Sequence, residues 1–317
     1  MNNFGSICGR FAPSPSGMLH LGNLSSLLLA WLDARALGGK IIFRLEDLDP
    51  ARSKKEYAEG IMSDMRRLGL NWDEYPGINN QSGRTALYDG AFELLRQKGL
   101  LYPCYCSRNQ RLAASAPHES YAHDRSVCRC KTLSASERRT LEAAGKRPAW
   151  KVSVPDSEIV FTDGHYGLQR VNLANDGDFI IRRSDGIYAY QLAVSFDDMD
   201  MGISRVVRGR DLLSSTAKQI WLIRQLGGSA PDYCHAPLIL LGDRKMSKRF
   251  GDLSPAVLLK EHCPEEITGI LAKLLGLRES DAMISPNELL QSFSWGKIPT
   301  EDIVFHYGYG PFEGHFP

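Results

Sequence analysis

Residues 8–45 read CGRFAPSPSGMLHLGNLSSLLLAWLDARALGGKIIFRL, and this stretch decides the fold. A short apolar run at 7–12 reads as a buried strand. A turn stiffened by Pro13 and Pro15 follows, then apolar residues at helical spacing over 20–37. Gly38-Gly39 punctuates the end of that helix, and Lys40 to Leu45 reads as a second strand. Strand, helix, strand is a βαβ unit, which favours a parallel sheet with right-handed crossovers and so an α/β fold.

The rhythm continues with an amphipathic helix over 51–68 and changes near Cys104. From there to Asp178, cysteines, prolines and short alternating segments indicate an inserted subdomain of antiparallel or irregular character. Strand and helix signals return at Phe179-Ile-Ile-Arg-Arg and Tyr188–Val194, and Pro237-Leu-Ile-Leu-Leu reads as a further strand. Helical spacing at 255–275 precedes an aromatic, glycine-rich end, FHYGYGPFEGHFP.

Composition sets outer bounds. The 317 residues are 43% hydrophobic and 24% charged, ordinary for a soluble globular chain with a sizeable core. No apolar run reaches the ~18 residues of a membrane span, and the start lacks a basic segment followed by an apolar one, so the expectation is a cytoplasmic protein without membrane contact. A net charge of +1 advertises no nucleic acid, and any such partner requires a local basic surface. Seven cysteines, an odd number, argue against a disulfide framework. Four of them, Cys104, Cys106, Cys128 and Cys130, fall close together and read as a four-thiolate zinc site.

Three constellations carry chemistry. Gly9–Asn23 delivers His20 to a helix N-terminus, where free N–H groups and the helix dipole suit an anion; alone, it reads first as a plain β-to-α turn. Arg44-Leu-Glu-Asp-Leu-Asp49 lies at the C-terminal end of the second strand, where open parallel sheets bind ligands, and alternation puts Arg44 and Glu46 on one side. Carboxylates there could bind an ammonium group, and the stretch is equally read as a solvated, salt-bridged strand end. Lys245-Met-Ser-Lys-Arg249 follows a strand and a Gly-Asp turn; such a basic loop is usually just solvated, unless Lys248 meets a phosphate.

Together, GRFAPSPSGMLHLG and KMSKR resemble the two signatures of class I aminoacyl-tRNA synthetases, the glutamyl branch in particular. RLEDLDPARS, LGLNWDE, QSGR at 81–84, DFIIRRSDGIYAYQLAVSFDD and VVRGRDLL strengthen the likeness, which spans about 7–255. Asn23 stands where the broader signature has a second histidine. The resemblance implies a Rossmann-like parallel-sheet catalytic domain over 1–252, an inserted zinc-bearing acceptor-type subdomain at about 101–180, and a short helical C-terminal region over 253–317. Those last residues are too few for a full anticodon-binding domain. The chain therefore resembles the truncated glutamyl-queuosine-forming members. They activate L-glutamate with ATP and Mg2+, without tRNA, and esterify it to queuosine in the anticodon of tRNA(Asp). A minimal synthetase charging a tRNA 3′ end with a partner's help, and a non-catalytic paralogue, stay open at this point.

By the same resemblance, Arg10 pairs with the glutamate side-chain carboxylate and Glu46 with its ammonium group, while Tyr190 and Arg208 close a pocket that includes Phe11, Ala12, Pro13 and Ser14. His20, Gly22, Lys245, Met246, Ser247 and Lys248 bind ATP, with His20 and Lys248 stabilising its phosphates during reaction. The family's zinc pattern is Cys-x-Cys, then a tyrosine, then Cys-Arg. It implies Cys104, Cys106, Tyr121 and Cys128 as ligands of a structural zinc, with Cys130 and then His123 as rivals for the fourth place.

Overall fold

The computed structural model describes residues 7–106, 128–242, 244–245 and 254–305. Strands β1 (Cys8–Phe11) and β2 (Lys40–Phe43) are parallel, paired from Cys8 with Lys40 to Phe11 with Phe43, and α1 (Leu21–Ala36) joins them. Eleven of the 16 residues of α1 are buried, which makes it a core helix wrapped by the rest of the chain. Gly38, with φ of 65°, supplies the left-handed residue that ends it. Helix α2 (Lys55–Arg67) buries Ala58, Ile61 and Met65, one stripe at helical spacing, and α3 (Thr85–Gln97) follows.

Strand β3 (Leu101–Cys104), helix α4 (Ala135–Ala143) and strand β4 (Ala149–Val152) open the expected insert. A hairpin of β5 (Glu158–Asp163) and β6 (Gly167–Asn172), the short helix α5 (Leu173–Asp176) and strand β7 (Phe179–Arg182) complete it. Strands β3, β4 and β7 form an antiparallel sheet in that order. Phe179-Ile-Ile-Arg therefore does not resume the parallel rhythm expected of it. Phe179, Ile180 and Ile181 are all buried, and a run buried on both faces reads alike in either kind of sheet. The β5–β6 hairpin, also within 101–180, attaches to the main sheet through Asp163 beside Tyr233.

The main sheet resumes after helix α6 (Tyr190–Asp200). Strand β8 (Arg205–Gly209) leads through α7 (Leu213–Gln225) to β9 (Asp232–Ala236), and β8 and β9 are parallel. Strand β8 lies along β1, where Ser204 N donates to Cys8 O at 3.0 Å. The chain thus leaves β1 for β2 on one side and has β8 on the other, and open α/β sheets place their ligand crevice at such a reversal.

Strand β10 (Ile239–Leu241) is flanked by β11 (Arg244–Lys245) and, after helices α8 (Pro255–Glu261), α9 (Pro264–Leu274) and α10 (Pro286–Leu290), by β12 (Ile303–Phe305). Buried Asp33 of α1 fastens this C-terminal region: it takes both arms of Arg205, at 2.9 and 3.0 Å, and the indole N–H of Trp295 at 2.6 Å. Among the described residues no helix is long and apolar enough to cross a membrane.

Candidate active site

A cavity of about 430 Å³ opens over the C-terminal ends of β1 and β8. Arg10, Ala12, Pro13, Ser14, His20, Gly22, Glu46, Tyr190 and Arg208 all line it, so residues spread over 199 positions of sequence meet around one space. Phe11 does not line it. The side chain of Phe11 is fully buried in the core around α1, because strand alternation turns it away from the face that carries Arg10.

Arg10 and Glu46 are braced from behind. Arg10 donates through Nη1 to Val207 O at 3.0 Å and through Nε to Asp198 Oδ1 at 3.4 Å. Arg44 is fully buried behind the pocket; its Nη1 meets Asp198 Oδ1 at 2.6 Å and its Nη2 meets Glu46 Oε1 at 3.1 Å. One guanidinium fork therefore orients two carboxylates, geometry that an ammonium could not supply. Asp197 sits next in the network and accepts from Arg84 Nε, Gln81 Nε2 and Tyr88 Oη at 2.8, 2.8 and 2.9 Å. The QSGR stretch thus braces the acids beneath the site.

Burial and charge set protonation here. Burial pushes the Glu46 carboxyl up, against the pull of Arg44 and Arg10. Burial lowers Arg10, while Asp198 opposes that. For Asp198, the upward push of burial is outweighed by Arg44 and Arg10, which hold it below the usual carboxylate range. Burial raises the Tyr190 phenol. The pocket floor therefore offers a guanidinium for an incoming carboxylate and a carboxylate for an incoming amine.

His20 caps α1. Its Nδ1 accepts from Asn23 N at 3.2 Å, and Asn23 Oδ1 accepts from His20 N at 3.3 Å, a reciprocal capping box. Asn23 is thus the helix-capping partner of His20, and with Nδ1 as acceptor the neutral ring carries its proton on Nε2. A Cβ on Gly22 would stand 3.2 Å from the His20 ring, so glycine there leaves the imidazole room to fold back. Lys245 is described in backbone only; Met246, Ser247 and Lys248 lie outside the described residues.

The sulfurs of Cys104, Cys106, Cys128 and Cys130 lie within 4.8 Å of one another, with contacts of 3.6, 3.7 and 3.7 Å. A tetrahedron with Zn–S bonds of about 2.3 Å has edges of about 3.8 Å, so the four thiols fit the ion. Tyr105 N donates to Cys130 Sγ at 3.2 Å, the kind of bond that steadies a thiolate ligand. Tyr121 and His123 lie outside the described residues. Asp197 and Asp198 end the stretch DFIIRRSDGIYAYQLAVSFDD, but sequence reasoning assigned them no role; the available signal was a pair of acids after the largely apolar YQLAVSF.

Residues 6–302 match the family described as tRNA synthetases class I (E and Q), catalytic domain. The chain is 46% identical over 310 residues to a glutamyl-Q tRNA(Asp) synthetase of Symbiobacterium thermophilum, covering 94% of this chain and 95% of that protein. It is 43% identical to the protein of that name from Nitratidesulfovibrio vulgaris, with the same coverages. Its fold matches the crystal structure of a glutamate tRNA ligase from Elizabethkingia meningosepticum in complex with its amino acid, with a TM-score of 0.79 and 26% identity, over 95% of this chain but 67% of that one. The chain belongs to the class I (E and Q) tRNA synthetases, among the glutamyl-Q tRNA(Asp) synthetases.

Proposed function

We propose that this protein activates L-glutamate with ATP to glutamyl-adenylate, without tRNA, and transfers the glutamyl group to queuosine in the anticodon of tRNA(Asp), in the cytoplasm. The convergence of Arg10, Glu46, Tyr190 and Arg208 on one cavity, with His20 at its α1 side, carries the reading. Arg10 takes the side-chain carboxylate and Glu46 the ammonium, leaving the α-carboxylate to face ATP. One of its oxygens attacks the α-phosphorus, the bond to the β-phosphate bridge breaks, and pyrophosphate leaves. Two anions must be held together, so positioning and charge neutralisation do most of the catalysis. His20 Nε2–H and the N-terminus of α1 are suited to the phosphates, as is Lys248 by its place in the signature loop. Mg2+ accompanies ATP as substrate. In the second step a queuosine hydroxyl attacks the acyl carbon and AMP leaves.

The insert serves this chemistry structurally. Zinc held by Cys104, Cys106 and Cys128, with Cys130 as the fourth ligand, would clamp the end of β3 to the segment that leads into α4. The donor set is all thiolate, leaving no open position for substrate. The test of the acceptor is transfer of labelled glutamate to tRNA(Asp) with and without queuosine, and to tRNA(Glu). Label is expected only on queuosine-bearing tRNA(Asp); labelling of the tRNA(Glu) 3′ end instead would overturn the assignment.

A further inference from the structure

Behind Arg208 lies a chain of buried groups that the glutamyl signatures leave unassigned. Arg208 on β8 and His235 on β9 are directly paired in register, and Arg208 Nε donates to His235 Nε2 at 3.0 Å. The other ring nitrogen, Nδ1, is 2.6 Å from Asp163 Oδ2 at the end of β5. Asp163 and His235 are 1% and 0% exposed, so neither contact competes with water.

The donors and acceptors allow one assignment. Arginine can only donate, so Nε2, which Thr216 Oγ1 also approaches at 3.3 Å, must be the unprotonated nitrogen, and Nδ1 carries the hydrogen that the carboxylate accepts. Arg208 Nη2 is spent on Thr216 Oγ1 at 2.9 Å and Leu212 O at 3.3 Å. Nη1 is buried and has no partner among the described residues, and Arg208 forms part of the cavity wall. A buried donor left unmade is costly unless a ligand completes it, and a carboxylate of the bound amino acid is the matching chemistry.

We propose that Asp163 and His235 are positioning residues: the carboxylate fixes the Nδ1–H tautomer of His235, whose Nε2 then holds the Arg208 guanidinium in place at the cavity wall for glutamate. The inference rests on the glutamate reading of the pocket and adds to it a specificity device outside the pocket wall. Asp163 is itself fixed, because its Oδ1 accepts from the backbone N–H groups of His165, Tyr166 and His235 at 3.0, 2.9 and 3.2 Å.

That clamp makes Asp163→Asn a sharp test. The asparagine oxygen must face the three backbone donors, which leaves its NH2 against His235 Nδ1. The ring then has to carry its proton on Nε2, where it confronts Arg208 Nε–H; a wrong-tautomer lesion of this kind is known from catalytic triads. The expected result is a rise of about 10- to 100-fold in KM for glutamate with KM for ATP unchanged, the loss of one charge-assisted contact. His235→Gln can set its amide oxygen on Arg208 and its NH2 toward Asp163, the same polarity as the native ring, so its KM for glutamate should rise less than that of Asp163→Asn. Nitrogen-15 NMR of labelled histidine reads the tautomer directly: Nδ1–H in the wild type, Nε2–H in Asp163→Asn. An unchanged tautomer, an unchanged KM for glutamate, or equal losses for glutamate and ATP in Asp163→Asn would overturn the proposal. Wild-type protein that binds no glutamate would refute the proposed function alone, because the tautomer readout needs no substrate.

Discussion

Arg44→Met probes the ionic floor of the pocket. Methionine keeps much of the arginine's length and removes the guanidinium from a site with no solvent exposure, 2.6 Å from Asp198, 3.1 Å from Glu46 and 3.8 Å from Asp197. Asp198 retains Arg10 and Asp197 retains Arg84, but Glu46 loses its ion-pair partner. Stranding a buried charge by deleting its partner costs about 3–5 kcal/mol. Against a total stability on the order of 5–15 kcal/mol, the variant should fold, with a Tm lower by about 10 °C. Glu46→Gln removes the stranded charge, so in the Arg44→Met background it should restore stability, with a coupling of about 1–3 kcal/mol. Urea unfolding of wild type, both single variants and the double variant at neutral pH measures this. Additivity within about 0.5 kcal/mol, or a cost for Arg44→Met below about 1 kcal/mol, would refute the view that Arg44 holds Glu46 in its charged form.

Glu46→Gln alone should raise KM for glutamate by about 10- to 100-fold and leave KM for ATP unchanged in steady-state assays. Since burial raises the Glu46 carboxyl, KM for glutamate in the wild type should climb as pH falls, beginning above the range of an ordinary glutamate, and this slope should vanish in the variant. Cys130→Ser should lose zinc in elemental analysis and Tyr121→Phe should keep it; the opposite pattern would make the tyrosine the fourth ligand. Acid should weaken the fold through His235, which burial pushes down to about 4 against the pull of Asp163. Between pH 6.5 and 4 the unfolded chain binds a proton there that the folded chain refuses, so stability is present above this window and lost as pH falls through it, by about 3 kcal/mol in full. His235→Gln should shrink the stability lost between pH 7 and 4.5 by about 2 kcal/mol in urea unfolding, and parallel curves would contradict the assignment.

The opening unit was legible because every local signal agreed. The apolar run, proline turn, buried helix, paired glycines and second apolar run correspond to β1, α1 and β2 within a residue or two at most ends. The pocket was legible for a different reason: Arg10, Glu46, Tyr190 and Arg208 sit in stretches that match a known pattern, and the switch point between β1 and β8 brings them together. Partners joined only by tertiary structure were not legible. Nothing in Tyr233-Cys-His-Ala announces that His235 faces Arg208, since strand register decides it. The buried run at Phe179–Ile181 could not declare its sheet, and Phe11 was drawn into the expected pocket by its neighbours although alternation sends it to the core.

If Arg10, Glu46, Tyr190 and Arg208 seat glutamate as proposed, activation needs no tRNA. Glutamate-dependent exchange between ATP and labelled pyrophosphate, run with no tRNA present, tests it most directly. Exchange that saturates with L-glutamate and proceeds without tRNA is the predicted result. Exchange that strictly requires tRNA(Glu) would contradict it.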